Sequence, residues 1–566
     1  HTYDPEAIRT WIFPTNYAKR DYQFNIVQKA LAKNILVALP TGLGKTLIAA
    51  VVMYNFYRWF PQGKVIFMAP TKPLVAQQIG ACYEVCGIPP AETVEMTGSL
   101  PPKTRKSLWD SKRVFFLTPQ VLQNDIQRET CPSSDVVCLV VDEAHRASGN
   151  HAYCEVVREL TLRNPHFRIL ALTATPGQDN DIVQALINNL RISMIELRTE
   201  QSADIVKYLH GRTVDTVNVP FDDSLRRIRS DLARLITTYV AQLPGSGLPT
   251  DGTRVSPYQV QLARTRSRQR LSGPAQINQM RWAEALFAVV SNLSRAMQLL
   301  SYHGVRCGHA CLETARTEAM EGPRPPSKTK RELYEGPMFR GLMTQMQEHL
   351  KDPARYSHPK LARLESIILD HFSRDDIVAS LPAGQSTAAS SPTTTSTTTR
   401  VMIFSQFRES VEEIVSLLSH HSPLLRVMSF VGQSTGKTGK GLSQKQQLEI
   451  IRQFKSGNYN TLVATSIGEE GLDIGEVDLI ICFDTQGSSI RLLQRMGRTG
   501  RKRQGRIVVL LAEDGEEALF KRSQQTYQKV QEGIMSRKWD LAFCRDSPRM
   551  LPAPVIPECS EQALDI

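Results

Sequence analysis

The sequence runs to 566 residues, 41% of them hydrophobic and 22% charged. That is too long for one compact core, so two or three domains are expected. Lys and Arg number 68 against 56 Asp and Glu, a formal net charge of +12, which suits nucleic acid or an anionic membrane surface. No apolar run approaches the roughly 20 residues that cross a bilayer, which excludes a spanning helix.

From residue 34 to about 199, short β-rich runs alternate with helical stretches. Strands are predicted at 34–39, 64–68, 113–117, 136–141 and 167–172. They are rich in Val, Ile, Leu and Phe without polar alternation, as in strands buried on both faces of a parallel sheet. Helices between them imply right-handed βαβ units. Beyond Thr199 the pattern changes. Residues 224–243, 276–301 and 331–350 carry apolar side chains at helical spacing with no convincing strand between, interrupted by loops at 245–253 and 322–327. His303, Cys307, His309 and Cys311 crowd together there, but their spacing matches no standard zinc pattern and no CxxC accompanies them, so no metal is expected. Alternation resumes with strands predicted at 401–405, 426–430, 461–464, 479–483 and 505–511. A Ser/Thr/Ala/Pro-rich stretch at about 380–399 reads as a disordered loop. The expected organisation is therefore 1–200 as a first α/β domain, 201–357 as an all-helical insert, 358–546 as a second α/β domain, and 547–566 as a Pro-rich extended tail. Ten cysteines lack disulfide-framework spacing, and Cys138 and Cys482 sit inside apolar runs, which points to a reducing compartment. With no starting Met and no signal peptide, the chain is expected to be a piece of a longer one.

Pro40-Thr41-Gly42-Leu43-Gly44-Lys45-Thr46 follows the first strand and opens a helix, the context a phosphate-binding loop needs. Its backbone N–H groups would face the β-phosphate, Lys45 would reach the β/γ oxygens and the Thr46 hydroxyl would bind Mg²⁺. Leu39 stands where the generic pattern has its first Gly. Asp142-Glu143-Ala144-His145 closes a buried strand. Asp142 would complete the Mg²⁺ shell and Glu143 would orient and deprotonate the attacking water. Upstream, the Gln23 amide would read the adenine edge and Arg20 would stack on the base. Gln494-Arg495-Met496-Gly497-Arg498-Thr499-Gly500-Arg501 offers Arg498 and Arg501 as arginine fingers to the γ-phosphate, with Gln494 beside the γ-phosphate or the catalytic water. A second Gly-Lys-Thr, within 434–441, is no ATP site because Gly439 and Gly441 prevent a helix from opening there.

These features match the ordered motif set of superfamily 2 helicases, whose fold is a pair of RecA-like parallel-sheet domains. Between and after them come Ala69-Pro70-Thr71-Lys72-Pro73-Leu74, Thr97-Gly98, Leu117-Thr118-Pro119-Gln120, Thr173-Ala174-Thr175, 401–407 and 464–473. Residues 51–61, 68–75, 468–483 and 494–507 resemble more closely the family of Fanconi anaemia group M motors, which has archaeal helicase–nuclease and fungal DNA helicase relatives. The resemblance implies an α/β pair of RecA-like domains with a helical insert between them, using ATP and Mg²⁺ to translocate on branched or duplex DNA. It implies fork reversal and branch migration in crosslink repair in the nucleus, away from membranes. Its partners would be the Fanconi anaemia core complex and a histone-fold protein pair, through regions outside this chain. By the same resemblance Thr71, Lys72, Thr97, Thr118, Ser405 and Thr465 would touch the nucleic-acid backbone. Thr173 and Thr175 would couple ATP state to grip, and Asp473 would bind the ribose. Insert arginines 226, 227, 229, 264, 266, 268 and 270 are candidate phosphate contacts, the last four within either an extended segment or a solvated loop. Two rivals stay open: a duplex-RNA-activated ATPase of the innate-immune sensor type, and a non-catalytic DNA-binding scaffold.

Overall fold

The structure is a computed structural model that describes residues 1–209, 211–270, 276–323, 325–379, 399–432, 441–465, 472–485, 489–499 and 504–566. The first unit runs β1 (Thr10–Pro14), α1 (Asp21–Ala32), β2 (Ile35–Ala38), α2 (Lys45–Trp59), β3 (Lys64–Met68), α3 (Lys72–Cys86), β4 (Thr93–Met96), α4 (Pro102–Ser111), β5 (Val114–Leu117), α5 (Pro119–Gln127), β6 (Val136–Val141), α6 (Ala152–Arg163), β7 (Arg168–Thr173), α7 (Asn180–Asn189) and β8 (Met194–Leu197). Among the described residues its sheet has seven strands in the order β4-β5-β3-β6-β7-β2-β8, all paired parallel. Every residue of β2, β3, β5, β6 and β7 is buried. This is why those strands read as unbroken apolar runs.

The chain does not turn wholly helical after Thr199. Strand β9 (Arg212–Val219) pairs parallel with a late strand of the second unit, Arg212 facing Gly505 and Val219 facing Ala512. Residues 212–219 therefore belong to the second sheet and not to the insert that was expected to begin at 201. The helical insert proper comprises α8 (Asp223–Val240), α9 (Pro257–Arg270), α10 (Ile277–His303), α11 (Val305–Met320), α12 (Lys328–Tyr334) and α13 (Pro337–Lys351). Leu232, Leu286, Leu293 and Met346 share its core. Cys307, His309 and Cys311 lie on α11, one helix beyond His303.

The arginine-rich segment 264–270 is neither extended nor a loop but part of α9. Arg264 and Arg268, one helical turn apart, both grip Glu284 on α10, and Arg270 donates to the Gly245 carbonyl at 3.0 Å. Arg226 meets Glu513, while the buried Arg229 meets Asp514 and Ser301. Arg227 and Arg266 are exposed.

The second unit runs α14 (Pro359–Ala379), β10 (Val401–Phe404), α15 (Arg408–Ser419), β11 (Val427–Phe430), α16 (Gln444–Lys455), β12 (Thr461–Ala464), β13 (Leu479–Cys482), α17 (Ser489–Met496), β14 (Gly505–Ala512) and α18 (Glu516–Met535), with β15 (Glu558–Gln562) in the tail. Among the described residues its sheet is six-stranded and parallel, in the order β11-β12-β10-β13-β14-β9. Residues 380–398 of the Ser/Thr-rich stretch and 433–440 of the second Gly-Lys-Thr run lie outside the described residues. The tail is not free. Ser547 accepts from the Asn34 amide at 2.9 Å, the Pro548 carbonyl accepts from Arg168 at 2.8 Å, and β15 pairs parallel with β1. The chain thus ends on the unit where it began.

One buried ion pair fixes the local geometry of the first unit. The guanidinium of Arg105 on α4 donates to both oxygens of Asp125 on α5 at 2.7–3.0 Å, and Trp109 adds its indole N–H at 3.0 Å. Arg105 also holds the Leu100 carbonyl. The loops carrying Thr97 and Thr118 enter these two helices, so the pair sets their spacing. Asp125→Ala would leave a guanidinium 5% exposed without its carboxylate, a loss of about 3–5 kcal/mol. Urea unfolding of the purified chain measures it, and a loss below about 1 kcal/mol would show that the pair does not brace the fold.

Candidate ATP site and nucleic-acid edge

In a parallel sheet every strand delivers its next residues to the same edge, and ligands bind along that edge in open α/β sheets. The strand order of the first unit divides it in two. The ends of β4, β5 and β3 carry Thr97, Thr118 and Thr71-Lys72. The ends of β6, β7 and β2 carry Asp142-Glu143, Thr173 and the loop 39–46.

That loop joins β2 to α2. Gly42 and Gly44 adopt φ of +87° and +78°, a region only glycine enters cheaply. A Cβ on Gly44 would also stand 2.2 Å from the Gln23 amide nitrogen. Lys45, the first residue of α2, donates to the Leu39 carbonyl at 2.9 Å. Leu39 is fully buried and its N–H bonds the Thr173 carbonyl. It is core, so the pattern's missing first Gly costs the loop nothing. Thr46 donates to Gln78 on α3 at 3.1 Å. Gln23 and Tyr22 both donate to the Leu43 carbonyl, at 3.0 and 2.7 Å, and Arg20 lies over the Tyr208 ring. The Gln23 and Arg20 side chains, expected to face adenine, here brace the phosphate loop and an aromatic ring. Pro40 and Thr41 lie between the strand end and the first glycine.

Asp142 is 8% exposed. Burial, and then the charge of Glu143, push its carboxyl up to about 7, with Lys45 opposing them. Glu143 adopts φ +50°. One of its carboxylate oxygens is buried without a hydrogen-bond partner, 3.4 Å from His145. Such a carboxylate pair beside a lysine and a Thr hydroxyl fits an Mg²⁺-bound triphosphate, whose cation would restore Asp142 to its charged form. His145, held below its ordinary pKa by burial, lies 3.1 Å from the Thr173 hydroxyl. Thr173 in turn donates to the Thr175 carbonyl at 2.7 Å. Sequence reasoning assigned no role to His145, which here joins the acid pair to the Thr173–Thr175 segment. Its only signal was its place two residues after Glu143.

Thr71 and Thr118 occupy helix N-cap positions without a capping side-chain bond. Lys72 is exposed, and the Thr97 hydroxyl pairs with Ser99 at 2.7 Å. In the second unit Thr465 follows β12 and is 9% exposed. Ser405 departs from expectation. It is fully buried, donates to Asp484 at 3.1 Å and lies 2.9 Å from Ser410, so its hydroxyl faces the protein interior. Asp473 pairs with Lys455 at 2.5 Å, and its backbone N–H donates to Gln77 on α3 of the first unit. It thus sits at the seam between the units.

Of the arginine motif, Arg501 lies outside the described residues, and Gln494 is half-buried. Arg498 is 2% exposed and donates to the Leu472 carbonyl. Arg495, to which sequence reasoning gave no role, is equally buried and grips the carbonyl and carboxylate of Asp484 at 2.8 and 3.2 Å. Burial alone would raise Asp484, but the Arg495 guanidinium beside it holds its carboxyl below the usual range.

Residues 2–178 match the family model "Type III restriction enzyme, res subunit", and residues 387–503 match "Helicase conserved C-terminal domain". The chain is 47% identical to the mouse (Mus musculus) Fanconi anemia group M protein homolog, over 97% of this chain and 27% of that protein. It is 45% identical to the ATP-dependent DNA helicase mph1 of Aspergillus fumigatus, over 100% of this chain and 51% of that protein. It therefore spans between about a quarter and a half of these relatives. The crystal structure of the Pyrococcus furiosus Hef helicase domain superposes with a TM-score of 0.62 at 30% identity, covering 88% of this chain and 97% of that one. With two parallel-sheet units, a helical insert and this motif order on one edge, the chain belongs to the Fanconi anemia group M, mph1 and Hef helicase family and is an ATP-hydrolysing helicase motor.

Proposed function

We propose that this chain is a DNA translocase that remodels branched DNA, by fork reversal and branch migration, in replication-fork and interstrand-crosslink repair in the nucleus. The observation that carries the reading is the division of one sheet edge into a triphosphate half and a hydroxyl half, bridged by His145 and Thr173. The names of the relatives support DNA as the track.

Lys45 and the N–H groups of 41–46 bind the β- and γ-phosphates, and Thr46 and Asp142 hold Mg²⁺, which supplies charge neutralisation at the γ-phosphate. Glu143 takes the proton of the attacking water. Gln23, with Arg20, reads the adenine, and Asp473 binds the ribose. Closure of the seam brings Arg498, Arg501 and Gln494 onto the γ-phosphate. The Ser405 and Gln406 N–H groups are held by Ala464 and Asp484 within the second unit, whereas Thr71, Lys72, Thr97, Thr118 and Thr465 grip phosphates. Contacts of this kind ignore sequence, as a translocating motor requires. Thr173 and Thr175, tied to Glu143 through His145, pass the hydrolysis state to that grip. The Fanconi anaemia core complex and a histone-fold pair dock on segments beyond this chain.

Glu143→Gln should lower kcat for ATP by about 10²–10⁴-fold with KM within a few-fold, measured by phosphate release with saturating forked DNA. Lys45→Arg should abolish both hydrolysis and fork remodelling. Remodelling that survives without hydrolysis would instead mark a scaffold. Forked DNA should stimulate hydrolysis more than duplex RNA does; the reverse order would make the chain an RNA-activated ATPase. Of the seven candidate arginines of the insert, Arg227 and Arg266 are exposed and are proposed to bind phosphates. Their double Ala variant should flatten the slope of log K against log salt by about 0.9 for each phosphate no longer neutralised, read by anisotropy across a salt series, whereas an unchanged slope would place the DNA elsewhere.

A further inference from the structure

Helix α10 runs 27 residues from Ile277 to His303, about 40 Å at 1.5 Å per residue, and crosses the whole insert. Its first turns pack on α9, where Glu284 receives Arg264 and Arg268, while Arg266 between them is exposed. Its last turn is plugged into the second unit at the carboxyl ends of β10, β13 and β14. There the Ser301 carbonyl accepts from His358 at 2.8 Å and the Tyr302 carbonyl from Lys360 at 3.3 Å. Lys360 also donates to the Phe483 carbonyl at 2.8 Å and to Glu516, a pair in which both side chains are 0% exposed. The last residue, His303, is 3% exposed and meets Phe407 edge-to-face at 4.7 Å.

The ring of His303 points one nitrogen at a buried carboxylate of the second unit, Asp484. Nδ1 has no hydrogen-bond partner and stands 3.8 Å from Asp484 Oδ2, beyond hydrogen-bond reach by less than an ångström. Asp484 already accepts from the Gln406 amide at 2.6 Å and from Arg495. Arg495 lies one residue before the end of α17 and three before Arg498. Burial holds the imidazole down to about 4, so the ring is neutral and can meet the carboxylate as a single N–H donor.

We propose that His303 is a positioning residue for hydrolysis: α10 acts as a lever whose far end follows DNA on the insert and whose near end, through His303 and Asp484, sets the helix that presents Arg498. The inference rests on the reading of Arg498 as the finger and of the insert as a DNA grip. A shift of α10 by about the difference between 3.8 Å and a hydrogen bond makes the Nδ1–H donate to Asp484 and tightens Asp484 on Arg495. His303 is 3% exposed, so on this reading its removal changes how strongly DNA accelerates hydrolysis and not how either ligand binds.

The test compares His303→Phe, which keeps the ring and removes the nitrogen, with His303→Asn, whose amide nitrogen stands close to Nδ1. Steady-state hydrolysis is measured with and without a forked DNA duplex, and fork affinity by anisotropy. The expected result for His303→Phe is a basal kcat, a KM for ATP and a fork Kd each within twofold of the parent, with the stimulation by fork DNA reduced about tenfold. His303→Asn should recover most of it. Should the Phe variant melt well below the parent, His303→Gln replaces it, because its longer amide places nitrogen near Nε2 and leaves Asp484 without a donor. Stimulation equal to the parent in the Phe or Gln variant overturns the proposal, as does a parallel fall in basal and stimulated rates. Arg498→Ala run alongside separates the two readings. If it retains hydrolysis, the finger assignment falls; if it loses hydrolysis while His303→Phe is stimulated normally, only the lever falls.

Discussion

The constraint on which the rest of this molecule depends is that both sheets are parallel. Strands such as β2, β6 and β7 are buried along their whole length, so chemistry is confined to their ends and the loops beyond, and a parallel arrangement sends every following loop to one edge. The order β4-β5-β3-β6-β7-β2 then does something the motifs alone cannot. It sets the hydroxyl-bearing loops and the phosphate-facing loops side by side, with β3 and β6 as the border. His145 lies near that border and reaches the end of β7. On the proposed reading, a displacement at the acid pair would reach Thr173 and Thr175 through His145 without movement of the sheet.

The second constraint is electrostatic. Lys360 and Glu516 are an ion pair with no exposure at all, and Asp484 and Arg495 are a second one at 2% each. Desolvating such charges costs several kcal/mol per ion, and an apolar replacement of similar volume is often as stable or more so. Stability alone does not account for them. What they add is direction. Glu516 accepts the Thr485 and Ala512 amides as well as Lys360, and Asp484 accepts from Gln406, Ser405 and Arg495. An apolar joint between α10 and the second unit would tolerate sliding, because dispersion is non-directional. A joint built from aimed donors and acceptors has one register.

The central strands were legible in the sequence as local patterns, and so were the phosphate loop and the acid pair, which the structure sets at strand ends on one edge; Arg501 of the arginine motif lies outside the described residues. Those strands read as apolar runs, and the loop reads as glycines at fixed offsets. The strands that escaped share one property. Among the described residues β4 and β8 are the outer strands of the first sheet, β9 is an outer strand of the second, and β1 and β15 pair only with each other. An outer strand faces solvent along one side and mixes polar with apolar residues, as Arg212-Thr213-Val214-Asp215 does, so a search for unbroken apolar runs passes over it. The same locality explains the misread arginines 264–270. Their helix is fixed by Glu284 on a neighbouring helix, and no window on α9 contains that residue. His303 drew attention as a metal ligand because His and Cys cluster near it in sequence. Its actual neighbour, Asp484, is far along the chain in the second unit.

The seam between the two units also bears on how the motor turns over. Arg498 donates to the Leu472 carbonyl, and the Asp473 amide one residue on donates to Gln77 of the opposite unit. On the proposed reading of Arg498 as a finger, exchanging the Leu472 carbonyl for a phosphate oxygen would replace that one neutral contact by a charge-assisted, forked bond roughly twice as strong, so the charge of the nucleotide would itself help to draw the seam closed.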